Sequence, residues 1–282
     1  IKNIAGSGIK NNSGNITING GTINTIRTDV YNDGGEVNFI NGTLTFPSST
    51  LGGGYVYGIY NINNGNATMK GGSIIANVDA VSNNGHAYSF VWGIYNKGAN
   101  VKVESGRIEA SSDFIGYGGY DCRAYGIYGE ESGKIEIGLK DEKITDEQPI
   151  ICGELYGICN SKTEVDFYDG IIKGESNYIS EGISSIEDNS ETYEYKDGKY
   201  KCVKLIEAEP VAKISNSTLS GDEEYKKIED AFSRCNELTG KTTITLLKNC
   251  TSYKQLQINE EKDVEINMNE FSIKCSAYLK NP

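Results

Sequence analysis

Residues 58–74 read Gly58-Ile59-Tyr60-Asn61, then Ala67-Thr68-Met69, then Gly71-Gly72-Ser73-Ile74, and the same three-part phrase returns along the chain. An earlier copy is Gly8-Ile9-Lys10-Asn11 with Ile16-Thr17-Ile18 and Gly20-Gly21-Thr22-Ile23. The next is Asp29-Val30-Tyr31-Asn32 with Val37-Asn38-Phe39 and Asn41-Gly42-Thr43-Leu44. A later one is Gly93-Ile94-Tyr95-Asn96 with Val101-Lys102-Val103 and Ser105-Gly106-Arg107-Ile108. Shorter openings stand at Gly126-Ile127-Tyr128-Gly129 and Gly157-Ile158-Cys159-Asn160, and a worn one at Gly182-Ile183. The openings lie 21, 29, 35, 33, 31 and 25 residues apart.

Within each unit apolar and polar residues alternate with period two, so a unit supplies about three short strands rather than a helix and a strand. A unit this small cannot bury its own apolar face. Units stacked at the strand spacing of about 4.8 Å bury one another's faces in a continuous core. The composition agrees, with 34 Gly, 4 Pro and 19 Tyr among 282 residues, a mix suited to many short strands and tight turns. The fourth tetrad position holds Asn11, Asn32, Asn61, Asn96 and Asn160, with Gly129 between the last two. These residue types tolerate a left-handed backbone, so the position reads as a corner, and stacked asparagines there form a hydrogen-bonded ladder.

These residues resemble the right-handed parallel β-helix proteins of the pectate-lyase-like architecture, and in particular repeat-rich bacterial surface and adhesin-like proteins. The resemblance covers roughly residues 4 to 190. It implies an all-β, right-handed parallel β-helix (β-solenoid) of six to seven coils over 1–190, and an extracellular, cell-surface location. It says little about activity, because this architecture hosts lyases, glycosidases, adhesins and passive stalks alike.

Beyond the repeats, 191–215 reads as a hairpin and linker, with Asp197-Gly198 as its turn between alternating runs. The remaining 216–282 read as one amphipathic helix plus strands. The helix is expected over about 222–238, with Ser220 and Glu223 in capping-box register and Tyr225, Ile228, Phe232 and Cys235 on one face, ended by Gly240. Strands are expected at Thr243 to Leu247, Leu256 to Ile258, Val264 to Met268 and Phe271 to Ile273. This segment reads either as the entry of a second β-helix module or as a small α+β appendage.

The formal net charge of −12 repels phosphate backbones, so nucleic acid is not an expected partner. No apolar run reaches membrane-spanning length, and no membrane span is expected in this segment. Seven cysteines with no C-x-x-C pair and a single histidine make a metal site improbable, and no cofactor is expected. Cys159, standing where other units carry tyrosine, is expected to be an unpaired thiol.

Catalysis is tested against residues. Glycosidase chemistry needs two facing carboxylates, and a β-helix lyase needs a basic residue beside calcium-binding acids. Neither pattern is present. Gly85-His86, Arg27-Thr28-Asp29 and Asp121-Cys122-Arg123 are the nearest approaches. The chain therefore reads as non-enzymatic, with a polysaccharide lyase or glycosidase and a purely structural stalk as rivals.

The candidate working surface is aromatic. Tyr57, Trp92, Tyr125 and Tyr156 precede the tetrad glycine, while Tyr31, Tyr60, Tyr95 and Tyr128 come two places after it. With Ile59, Ile94 and Ile127 in the core, alternation places the preceding aromatics inside and the later tyrosines outside. An exposed tyrosine row suits stacking on a host or cell-surface glycan or docking a protein partner, and equally suits a stack that stabilises only itself.

Overall fold

The computed structural model describes residues 2–4, 6–47, 49–51, 53–82, 87–116, 120–145, 148–252 and 254–275. Among the described residues the protein is all-β apart from one α-helix, Ile228–Glu237, and the chain divides into two compact units, Ile1–Ile206 and Glu207–Pro282.

The first unit is built on two large sheets and one small one. A seven-stranded sheet runs Ser7–Asn12, Thr28–Asp33, Gly53–Ile62, Ala87–Lys97, Tyr120–Glu130, Tyr156–Ser161 and Asn177–Ile179, with parallel neighbours throughout. Pairing is residue on residue: Ile9, Val30, Ile59, Ile94, Ile127, Ile158 and Ile179 form one file across it. The fourteen-stranded sheet supplies three more. These are Val37, Ala67, Val101, Ile135 and Val165; Phe39, Met69, Val103, Ile137 and Phe167; and Leu44, Ile74, Ile108, Ile151 and Ile172. All of these file members except the partly buried Ile9 are buried, and together they make one apolar cluster. At roughly 1.5–3 kcal/mol per fully buried aliphatic or aromatic side chain, these files are the main source of cohesion.

The hairpin turns at Gly198, in left-handed backbone, between Ser190–Asp197 and Tyr200–Glu207. Its second strand pairs antiparallel with Ile171–Gly174, reversing the direction kept by Leu44 and its register partners up to Ile172. Backbone groups that would form an open edge there are thereby satisfied.

The second unit packs the helix residues Ile228, Ala231, Phe232 and Cys235 with Ala212, Ile214, Ile244 and Leu246. The helix is shorter than the sequence suggests. Glu223–Tyr225 is a strand, paired antiparallel with Ala212–Ile214, and Lys227 stands at the helix start with no side-chain cap. Glu223 does not close a capping box but binds Arg234 at 3.0 Å and accepts from the Tyr225 hydroxyl at 2.5 Å. The expected strand at Leu256 to Ile258 is absent, while Cys250–Ser252 pairs with Ile273–Cys275 instead.

The column of tetrad glycines carries a carboxylate at one position. Asp29 occupies the tetrad glycine position, between Gly8 and Gly58, and is fully buried. Its carboxyl lies near the Thr25 hydroxyl and the backbone of Thr25 and Thr45, yet neither oxygen completes a well-formed hydrogen bond. Burial pushes its pKa up to about 8, with Thr25 pulling weakly the other way. The fold thus holds a proton that the unfolded chain releases above its ordinary carboxylate pKa of 3.8. Asp29 costs least stability at acid pH, and stability falls as pH rises through about 8, at no more than about 1.4 kcal/mol per pH unit. Replacing Asp29 with Asn should flatten this dependence. The check is the wild-type minus variant difference in unfolding free energy across pH 5 to 9; parallel curves would refute it.

Candidate functional site

The aromatic surface lies on the seven-stranded sheet, and its geometry follows from the Gly-Ile step. Tyr57 and Trp92 pair in register, as do Ile59 and Ile94, while the glycines between them approach backbone of the next strand. A Cβ on Gly93 would sit 2.3 Å from Ile108 Cγ2 and 2.6 Å from the Gly126 carbonyl oxygen, so this position faces the core and admits only hydrogen. Glycine and isoleucine are therefore both inward, and strict alternation fails at this step. The residues on either side, Tyr57 and Tyr60, consequently share the outer face. This corrects the expectation that Tyr57, Trp92, Tyr125 and Tyr156 lie on the inner side.

The two columns interlock. Tyr31, Tyr60, Tyr95 and Tyr128 stack with centroids 5.3, 5.0 and 5.6 Å apart and planes within 11° of parallel. Tyr57, Trp92, Tyr125 and Tyr156 stack at 4.8, 6.3 and 6.3 Å. Across the columns the rings meet edge to face, Tyr57 on Tyr60 at 4.7 Å and 82°, and Trp92 on Tyr95 at 5.6 Å and 78°. Such contacts contribute about 0.5–1.5 kcal/mol each beyond the area they bury. Their consequence for recognition is that ring faces are turned toward each other, leaving edges and hydroxyls outward. Trp92 is only 6% exposed despite its outer position.

The rings that remain open lie toward the start of these strands. Tyr55 and Tyr88 are each 45% exposed and meet at 5.7 Å with planes tilted by 55°. Phe90 stacks on Tyr55, and the Arg123 guanidinium lies 5.6 Å from the Phe90 ring centroid. Arg123 is also ion-paired to Asp121 at 2.9 Å. Sequence reasoning missed this cluster because Tyr55, Tyr88 and Phe90 fall outside the recurring tetrad.

Burial raises the phenol pKa values of Tyr57, Tyr95, Tyr125 and Tyr128. Tyr95 is held up further because its hydroxyl donates to the Glu130 carboxylate. The tyrosine file ends at Cys159, which pairs in register with Tyr128 and is free. Burial raises its thiol pKa, against hydrogen bonding with Ser180.

Beneath the tyrosines runs the asparagine ladder. Asn11 Nδ2 donates to Asn32 Oδ1 at 2.8 Å, Asn32 to Asn61 at 2.7 Å, and Asn61 to Asn96 at 2.8 Å. The same amides close their own turns, on the carbonyls of Gly14, Gly35, Gly65 and Ala99. These asparagines do not adopt the left-handed backbone expected of them. That conformation falls two residues later, at Ser13, Gly34, Asn63, Gly98, Glu131 and Lys162. Asparagine is suited here by its two donors and one acceptor. Gly129 interrupts the ladder where Thr163 takes the space, and Asn160 bonds instead to the Thr163 carbonyl and accepts from Ser180 and the Glu181 amide.

The other candidates fare differently. Asp29 is buried whereas Arg27 is exposed, so they form no acid–base pair. Gly85 and His86 lie outside the described residues. Among the described residues no group of three or more His, Cys, Asp or Glu is arranged to hold a metal ion. Comparison with protein-family models, with curated proteins and with solved structures finds no match.

Two substitutions and one control test this construction. Asn61→Ala strands the Asn32 donor and the Asn96 acceptor in a buried place and should cost roughly 2–4 kcal/mol in denaturant unfolding. Gly93→Ala should cost about 2 kcal/mol or more by overpacking. Gly6→Ala, whose Cβ meets nothing within 4 Å, should stay within about 0.5 kcal/mol. Equal effects at Gly93 and Gly6 would contradict the inward placement of the tetrad glycine.

Proposed function

We propose that this chain is a non-catalytic module of an extracellular, bacterial-surface protein of the right-handed parallel β-helix type, and that it binds a cell-surface glycan or protein through its aromatic face. The observation that carries the reading is the continuous aromatic surface on one parallel sheet, open at Tyr55 and Tyr88 and flanked by the Asp121–Arg123 pair. The β-helix part of the reading is supported by the residue-on-residue pairing of successive units. Aromatic rings with an adjacent guanidinium and carboxylate combine apolar contact with directional hydrogen bonding, the pairing that hydroxyl-rich or peptide ligands require. Among the described residues no helix is long and apolar enough to cross a membrane.

The stalk reading has its own support, since the rings of Tyr31, Tyr60, Tyr95 and Tyr128 spend their faces on one another. This geometry supports a division of roles in which the file stabilises and the exposed Tyr55–Tyr88 cluster binds. Tyr55→Ser with Tyr88→Ser should abolish adhesion to glycan arrays or host cells and leave the melting temperature nearly unchanged. Tyr60→Ser with Tyr95→Ser and Tyr128→Ser should lower the melting temperature. Absence of adhesion by the parent protein on every surface would leave the stalk reading and overturn the binding one.

A further inference from the structure

The interlocked rings have a chemical consequence independent of ligand binding. We propose that Tyr60 and Tyr95 are an oxidative modification site, at which a one-electron oxidant of the peroxidase class converts the stacked pair into an ortho,ortho′-dityrosine cross-link between adjacent strands.

Three features converge on this pair. Tyr60 and Tyr95 are register partners on parallel strands, and their rings lie 5.0 Å apart at 5°, the tightest of the three steps in the tyrosine file. Carbons ortho to the two hydroxyls are thus held near each other before any chemistry, which replaces a diffusional encounter between radicals with a local one. The second feature is the proton acceptor. A phenol that loses an electron must release its proton, and the Tyr95 hydroxyl already donates to the Glu130 carboxylate.

The third is the route by which oxidation arrives. Tyr55 is 45% exposed and stacks on Trp92 at 5.9 Å, and Trp92 in turn meets Tyr95 at 5.6 Å and Tyr57 at 4.8 Å. The Trp92 Nε1–H is buried with no hydrogen-bond partner among the described residues, so an oxidised indole has no acceptor for its proton. Oxidation passing through Trp92 therefore comes to rest at Tyr95, where an acceptor stands.

The step balances. Each phenol gives up its hydroxyl proton and one electron, and the two phenoxyl radicals join through a new carbon–carbon bond between ortho positions. The two ortho ring hydrogens then move to the oxygens, restoring both hydroxyls. The two electrons and two protons released reduce one hydrogen peroxide to two waters at the peroxidase.

The test treats the folded chain, dilute, with a haem peroxidase and hydrogen peroxide. Dityrosine fluorescence is read, and tryptic peptides are mapped by mass spectrometry; Lys70 separates the peptide carrying Tyr60 from that carrying Tyr95. The expected product joins those two peptides with the loss of two hydrogens. Tyr95→Phe, which keeps the ring but not the phenol, should lower the yield several-fold, and Glu130→Gln should slow the reaction. Tyr193→Phe, at a 49% exposed tyrosine stacked on Tyr195 outside the file, should leave it unchanged. No cross-link, a cross-link confined to Tyr193 and Tyr195, only intermolecular products, or an equal Tyr60–Tyr95 yield in denaturant would each overturn the proposal.

Discussion

In-register parallel pairing places like positions directly on top of one another, about 4.8 Å apart, and every file in the first unit must be a side chain that can stand on its own copy. Isoleucine and valine meet this condition by apolar contact. Asparagine meets it because an amide is its own complement, giving one hydrogen to the next amide while its oxygen accepts from the previous one. Tyrosine meets it by ring stacking. A charged residue needs help to do so: in the outer file Thr68, Lys102, Glu136, Asp166 the neighbouring acids Glu136 and Asp166 share the Lys134 ammonium, at 2.7 Å from each, and a buried carboxylate occurs in the glycine column once, at Asp29.

The same constraint explains what the sequence made legible. Files repeat, so the core isoleucines, the ladder asparagines Asn11, Asn32, Asn61 and Asn96, and the four tyrosines could be picked out by their recurrence. Departures from the repeat were harder to read. Recurrence assigns no role to Gly58, Gly93 and Gly126, and the space around Gly93 shows a packing one: backbone of the next strand and an isoleucine methyl leave no room for Cβ. That inward glycine shifts the phase of alternation by one residue and moves Trp92 from the expected core to the outer face. Asn61 looked like a left-handed corner residue, yet the left-handed positions are Asn63 and Asn64, and Asn61 serves through its side chain.

Elements without copies were least legible. Tyr225 stands in helical phase with Ile228 and Phe232, but a strand partner at Ala212–Ile214 and the ion pair between Glu223 and Arg234 draw Glu223–Tyr225 into a sheet. Tyr55, Tyr88 and Phe90, the open part of the aromatic surface, recur in only two units and so carried no periodic signal. The tyrosine file, by contrast, turns its ring faces on its own members.

The measurement that bears most directly on the stack is methyl–methyl nuclear Overhauser spectroscopy on isoleucine-labelled protein. The expected result is a chain of contacts linking Ile59 to Ile94, Ile94 to Ile127 and Ile127 to Ile158, each interior methyl seeing one neighbour on either side. Contacts that instead join these isoleucines in an antiparallel order, or that skip a unit, would contradict the in-register stack on which the tyrosine file, the asparagine ladder and the aromatic face all depend.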